Sequence, residues 1–336
     1  MIDFWSRAAQ HHATGPDMEN PLTAVLRTCA LVVVSMLVMA SSALAQPRAS
    51  QLEGYSCAPM RWESHQGRQR VALSTPVRVN GRRYWFQFDT AAWPSMLYGD
   101  ESDRRGWTIP SQVSMIARSY EVGGATFEGD RALLTIRRDM GRGNPGGTLG
   151  LSALRGKLTV IDYRAMRLCI LPRTADVAIA RRAHWTAMQL SRGSLRISLQ
   201  IGEQSYSNMI FDSGSSMFPL LVDLPLWTHL TGYDAPTDAP IAFQGFAWGR
   251  PKTWRGAPTR EPIRIGNVVS QDANVFIDEA NPTGRFSERG ADGILGNALL
   301  WDHVVLLDLR DQISDEEWAL VGAGTQRGQP RFGVTD

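Results

Sequence analysis

Lysine is almost missing from this sequence: of 35 basic residues only Lys157 and Lys252 are lysine. No run of basic residues occurs, and the formal net charge is only +2. Nucleic acid, which is held through dense phosphate contacts, is therefore not an expected partner. Cysteine is nearly as scarce, with three in 336 residues, and the six histidines are scattered. That spacing matches no zinc motif, so neither a metal nor a cofactor is expected. The glycine-rich stretch GRGNPGG at 141–147 lacks the Lys-Ser/Thr of a phosphate loop. The only Asn-x-Thr triplet, Asn281-Pro282-Thr283, is disabled by its proline. No GxSxG elbow is present, so serine hydrolase chemistry has little support.

What is present begins with a targeting pattern. Arg27 precedes the apolar stretch ALVVVSMLVMA at 30–40, and Ala43 and Ala45 supply the small residues of a cleavage site before Gln46. Residues 1–45 are read as a signal peptide, with Met18 an alternative start, which places the mature chain in the periplasm or outside the cell. Retention as a membrane anchor is the competing reading, and the apolar stretch sits at the short limit for a span. Removing it leaves Cys57 and Cys169, an even pair that in an exported protein suggests one disulfide.

The chain then repeats itself. VRVNGRRYWFQFDTAAWPSML at 77–97 lies parallel to ISLQIGEQSYSNMIFDSGSSMFPLL at 197–221. Each reads as a β-hairpin turning at Gly81 or Gly202 and ending in an acid plus a hydroxyl residue: Asp89-Thr90 and Asp212-Ser213. GTLGLSAL (147–154) parallels DGILGNAL (292–299), and LTVIDYR (158–164) parallels VVLLDLR (304–310). Gly150 precedes Asp162 by twelve residues and Gly296 precedes Asp308 by the same twelve. Ordered matches of this kind indicate two copies of one all-β unit. The expected division is an N-terminal segment at 46–65, a first unit at 66–173, a connector at 174–185, a second unit at 186–326 and a C-terminal tail at 327–336. Asp162 and Asp308, each two residues before an arginine, read as structural ion pairs.

A twofold relation between the copies would set Asp89 and Asp212 side by side. Two close carboxyl groups share one proton, because both cannot ionise cheaply. Such a pair can activate water and polarise a carbonyl. Thr90 and Ser213 can tie the turns together, Gly214 allows close backbone approach and gives an N–H to the carboxylate, and Ser215 can donate its hydroxyl. Asp212, with Ser215 three residues on where Asp89 has Ala92, is expected to hold the shared charge more often than Asp89, a bias within the coupled pair.

MIFDSGSSMFPL resembles the apolar-apolar-Asp-Thr/Ser-Gly pattern of bilobal aspartic proteases of the pepsin-like and retropepsin-like group, and TLG and ILG resemble the apolar-Gly elements behind its active-site loops. The resemblance spans about 260 residues. It implies an all-β fold of two barrel-like lobes related by a pseudo-twofold axis. It also implies a cleft for extended peptide or protein substrates, and aspartic endopeptidase activity from an Asp89/Asp212 dyad in a monomer. The first copy departs from the pattern at Gln87, Ala91 and Ala92, which keeps open a second reading, a non-catalytic homologue that binds peptides. The flap is sought at 108–124, with Tyr120 or Trp107 as its aromatic residue.

Overall fold

The computed structural model describes Leu52 and residues 54–65, 67–99, 112–137, 146–247, 250–312 and 328–336. The proposed signal segment, the 141–145 part of the glycine-rich stretch and Trp107 lie outside them. Gly54–Asp336 forms one compact unit. It is mostly β, in one sheet of nine strands and another of fifteen. Among the described residues no helix is long and apolar enough to cross a membrane.

Both hairpins form as their turns dictate. Strands Arg68–Val79 (β1) and Arg82–Asp89 (β2) are joined by Asn80-Gly81, both at positive φ (50° and 80°). That dipeptide suits the tight turn whose twist matches the flanking strands. Ser194–Ile201 (β7) and Gln204–Phe211 (β8) are joined through Gly202 at φ 59°.

Around each hairpin the same frame recurs. In the first half, strands Ser95–Tyr98 (β3), Leu133–Arg137 (β4) and Gly147–Gly150 (β5) follow. β5 runs parallel to β2, with Leu149 opposite Phe88, and antiparallel to β3, which runs parallel to β4. In the second half the corresponding strands are Leu220–Val222 (β9), Asn274–Asp278 (β10) and Gly293–Leu295 (β11). β11 runs parallel to β8, with Leu295 opposite Phe211, and antiparallel to β9, which runs parallel to β10. Phe88, Leu149, Phe211 and Leu295 are fully buried. Burial of each contributes about 1.5–3 kcal/mol, which fixes the strands that carry Asp89 and Asp212.

Leu158–Asp162 (β6) and Val304–Asp308 (β12) complete the repeat and pair antiparallel, with Val160 opposite Leu306. Cys57 is bonded to Cys169, stapling Ala58–Pro59 to Arg167–Leu168. Three segments differ from the expected division. Arg61–His65, assigned to the N-terminal segment, pairs with β1 as part of the nine-stranded sheet. The connector holds a short helix, Ala178–Arg182 (α1), and the start of a strand, His184–Ser191. Residues 331–335, expected to be tail, form a strand between β12 and His184–Ser191. Its alternation buries Phe332 and Val334 completely or nearly so, a pattern too short to stand out in sequence.

Candidate functional site

β2 and β8 deliver their aspartates to one place. The two turns that follow are laced by reciprocal hydrogen bonds. The Thr90 N–H donates to Ser213 Oγ at 3.0 Å, and the Ser213 N–H donates to Thr90 Oγ1 at 3.0 Å. Each hydroxyl then donates onward to the other half's strand: Thr90 Oγ1 to the Phe211 carbonyl (2.7 Å) and Ser213 Oγ to the Phe88 carbonyl (3.1 Å). Thr90 and Ser213 are wholly buried, so all four bonds are made away from water.

Two backbone amides support each carboxylate. Ala91 and Ala92 N–H groups reach Asp89 Oδ1 at 2.9 and 3.0 Å. Gly214 and Ser215 N–H groups reach Asp212 Oδ1 at 2.9 and 3.2 Å. The Ser215 hydroxyl makes no hydrogen bond to Asp212, so the side-chain role expected of it is corrected to a backbone one. Gly214 is required on steric grounds: a Cβ there would lie 2.6 Å from Asp89 Cγ. Ala91 carries its methyl without positive φ and packs against the aromatic cluster of Phe218, Phe243, Trp254 and Phe276.

Burial pushes both carboxyl groups above their ordinary range. Asp89 is raised by burial and pulled back by the Ala91 and Ala92 amides and by a hydrogen bond from Asp212. Asp212 is raised further by burial, by the charge of Asp89 and by the proton it shares with that residue, against the Gly214 and Ser215 amides. Two carboxyl groups so placed share one proton, and the expectation that the charge favours Asp212 loses the hydroxyl donor on which it was built. The expectation rested on a Ser215 hydroxyl bond that does not form; with two amides on each side, the donors no longer favour Asp212.

Residues that sequence reasoning passed over complete the support. Gln87 Nε2 donates to the Gly214 carbonyl (3.2 Å), crossing between the halves from the place where an apolar residue was expected. Asn297, fully buried, donates through Nδ2 to the Ser213 carbonyl (2.6 Å) and accepts from the Tyr163 hydroxyl (2.6 Å). Its position, directly after the ILG repeat where the first half has Leu151, was the available signal. Gly150 and Gly296 lie against the two turns: a Cβ would meet the Ala92 carbonyl oxygen at 2.8 Å in one and the Ser215 carbonyl oxygen at 2.2 Å in the other. Tyr120 is not a flap residue. It is buried in the core, where its hydroxyl donates to Ser95 Oγ.

Asp162 and Asp308 stand apart from this site as ion pairs, with Arg167 (3.0 Å) and with Arg310 and Arg331 (2.8 and 2.6 Å). Among the described residues no group of three or more His, Cys, Asp or Glu is placed to hold a metal ion.

No protein-family model matches the sequence, and comparison with curated proteins finds no match. Among solved structures the chain is similar to basic 7S globulin from soybean, at 9% identity over 84% of this chain and 96% of that one, with a TM-score of 0.46. It is also similar to conglutin gamma, a basic 7S globulin from lupine seeds, at 9% identity over 84% and 94%, with a TM-score of 0.47. Both are described as basic 7S globulins. The expected membership of the pepsin-like and retropepsin-like protease family, and the aspartic endopeptidase activity expected with it, are not borne out by these comparisons: no family model or curated protein matches, and the similar structures are described as globulins.

Proposed function

We propose that this chain is a non-catalytic peptide-binding protein, with two β lobes related by an approximate twofold axis and a cleft between them. The observation that carries the reading is the pair of buried, coupled carboxyl groups on the laced turns. Sharing one proton, the pair offers an O–H and an ionised acceptor side by side. A peptide group presents the complementary pair, a carbonyl oxygen and an N–H. An extended peptide laid across the turns would satisfy both carboxyl groups. Asp89, Asp212, Thr90, Ser213 and Gly214 form the binding core in this reading.

The twofold relation is supported by the self-matched β6–β12 register and by the reciprocal Thr90–Ser213 bonds. Action outside the cytoplasm, as a monomer, is supported by the Cys57–Cys169 bond and by both halves of the site lying in one chain.

The test is a random peptide library passed over the immobilised full chain, followed by mass analysis of what is retained. Intact peptides, whose affinity drops about tenfold or more in the Asp89→Ala/Asp212→Ala double variant, are the expected result. Failure to retain any peptide, or recovery of peptides cut by the wild type and not by the double variant, would overturn the reading.

A further inference from the structure

Each aspartate accepts two backbone N–H bonds, so the amides alone do not distinguish the two turns. What lies behind those amides does. The Gly214 N–H that reaches Asp212 belongs to the same peptide group as the Ser213 carbonyl, which accepts from Asn297 Nδ2 at 2.6 Å. The Ser215 N–H belongs to the same peptide group as the Gly214 carbonyl, which accepts from Gln87 Nε2 at 3.2 Å. That N–H is shared, since it also reaches the Asp212 main-chain carbonyl at 3.1 Å. Asn297 is backed in turn by the Tyr163 hydroxyl, which donates to its Oδ1 at 2.6 Å. Both series run from donor to acceptor in one sense and end on Asp212 Oδ1.

Asp89 has no such backing. Leu151 stands where the second half has Asn297, and the two make the same main-chain bond. The Leu151 N–H reaches the Ala92 carbonyl at 2.8 Å, and the Asn297 N–H reaches the Ser215 carbonyl at 3.1 Å. Ile210 precedes Asp212 by two residues, as Gln87 precedes Asp89, and sits opposite Ile294 where Gln87 sits opposite Thr148. Leucine and isoleucine side chains donate nothing. Among the described residues no side chain donates to the Thr90 or Ala91 carbonyl, the partners of the amides that serve Asp89.

Hydrogen bonds in series polarise one another, and a low-dielectric setting strengthens them. Asn297 and Ser213 are fully buried and Tyr163 nearly so. A peptide group whose carbonyl accepts a bond has a stronger N–H donor, and donors to a carboxylate favour its ionised form. We infer that Gln87 and Asn297, the latter braced by Tyr163, are positioning residues that hold the charge of the singly ionised pair on Asp212 and leave the proton on Asp89. Repulsion between the carboxyl groups acts on the second ionisation, so it sets how far apart the two steps lie and not which group leads.

Other titratable groups near the pair stay out of this range. β5, β11 and the turns Leu151–Leu154 and Asn297–Leu300 behind them carry none. β3 brings Tyr98, whose hydroxyl burial pushes up to about 12. Burial also pushes the Tyr163 hydroxyl up, so it remains a donor wherever carboxyl groups titrate.

The test is carbon-13 NMR of the full chain labelled at its aspartate carboxyl carbons, titrated from about pH 3 to about pH 8. Asp89→Asn and Asp212→Asn identify the two signals. The Asp212 signal should make most of its shift in the first step and the Asp89 signal in the second. Tyr163→Phe and Gln87→Leu should each weaken the first ionisation about threefold, moving it about half a pH unit higher. Asn297→Leu, which copies the first half, should move it further; if that variant does not fold, the two milder ones decide. The inference is overturned if the Asp89 signal leads or if the two signals move together. A first step unmoved in either Tyr163→Phe or Gln87→Leu would overturn it too, leaving those bonds a purely structural role. No peptide enters the measurement, so its outcome is separate from that of the binding test.

Discussion

Thr90 and Ser213 each donate a backbone N–H to the other's hydroxyl at 3.0 Å, so each residue completes the other's turn. Thr90→Val keeps the shape but strands the Ser213 N–H and the Phe211 carbonyl. Each buried orphan costs about 1–3 kcal/mol. Urea denaturation should show a loss of roughly 2–5 kcal/mol for Thr90→Val. Ser213→Ala breaks the other two of the four bonds, those from the Thr90 N–H and to the Phe88 carbonyl, so a double-mutant cycle reads only the coupling carried through the shared turns.

Gln87→Leu restores the apolar residue expected at that place in the sequence but removes the bond to the Gly214 carbonyl. The bond is single, neutral and part-buried, so a loss of about 0.5–1.5 kcal/mol is expected in the same assay. Gly214→Ala should be far more damaging, because its methyl would occupy the space of the Asp89 carboxyl group. A Gly214→Ala protein as stable as the wild type would show that the turns are less tightly held than described here.

The raised carboxyl groups predict a pH dependence of stability. A group whose folded pKa lies above its unfolded value stabilises fully below the unfolded value, here 3.8, and that contribution is lost as pH rises through the folded constant. The pair should therefore weaken the fold as pH climbs from about 4 toward neutrality. Asp212→Asn removes the titration and should be more stable than the wild type at pH 7, by about 1–3 kcal/mol. Thermal melts of both proteins between pH 4 and 7 measure this, and curves that stay parallel would exclude a shared proton. Peptide affinity should follow the singly ionised pair, falling on the alkaline side when the pair loses its shared proton.

Asp308 has the opposite sign. Burial pushes its carboxyl group up, but hydrogen bonds and charges from Arg310 and Arg331 outweigh burial and hold it below 3.8. Its contribution is present above the unfolded value and lost as pH falls through the lower folded one. Asp308→Asn should destabilise the protein at pH 7, by about 3 kcal/mol, and flatten the acid limb of the stability curve below about pH 4.

Removing the Cys57–Cys169 bond opens a loop spanning a sequence separation of 112 residues. Chain entropy sets a ceiling of about 4–5 kcal/mol. The loss in a Cys57→Ser/Cys169→Ser variant should be smaller, because the Ala58–Pro59 pairing and the Met60 N–H bond to the Met166 carbonyl still tether the segment.

The hairpins and their aspartates were legible because the signals are local: alternation, Asn80-Gly81, and the repeated acid-hydroxyl pair. The resemblance of TLG and ILG to the apolar-Gly elements of aspartic proteases also implied that Gly150 and Gly296 lie behind the turns. Asn297 and Gln87 were not legible, since their partners lie 84 and 127 residues away in sequence and nothing local marks them as bonded. The hydroxyl donor expected for Asp212 was misjudged for a related reason. Whether the Ser215 hydroxyl points at the carboxylate is not decided by residue identity. The strand at 331–335 was hidden by its brevity, and only its place between two longer strands makes it part of the core.

The β6–β12 register has a consequence for how the carboxyl pair can be exposed. Strands from both halves run through the same sheet, and the turns are bonded to each other, so neither half can swing away without breaking main-chain ladders. Amide exchange at Thr90 and Ser213 should then proceed only through global opening, at the slowest rate in the molecule. A ligand for the carboxyl pair must then reach it between surfaces that do not part.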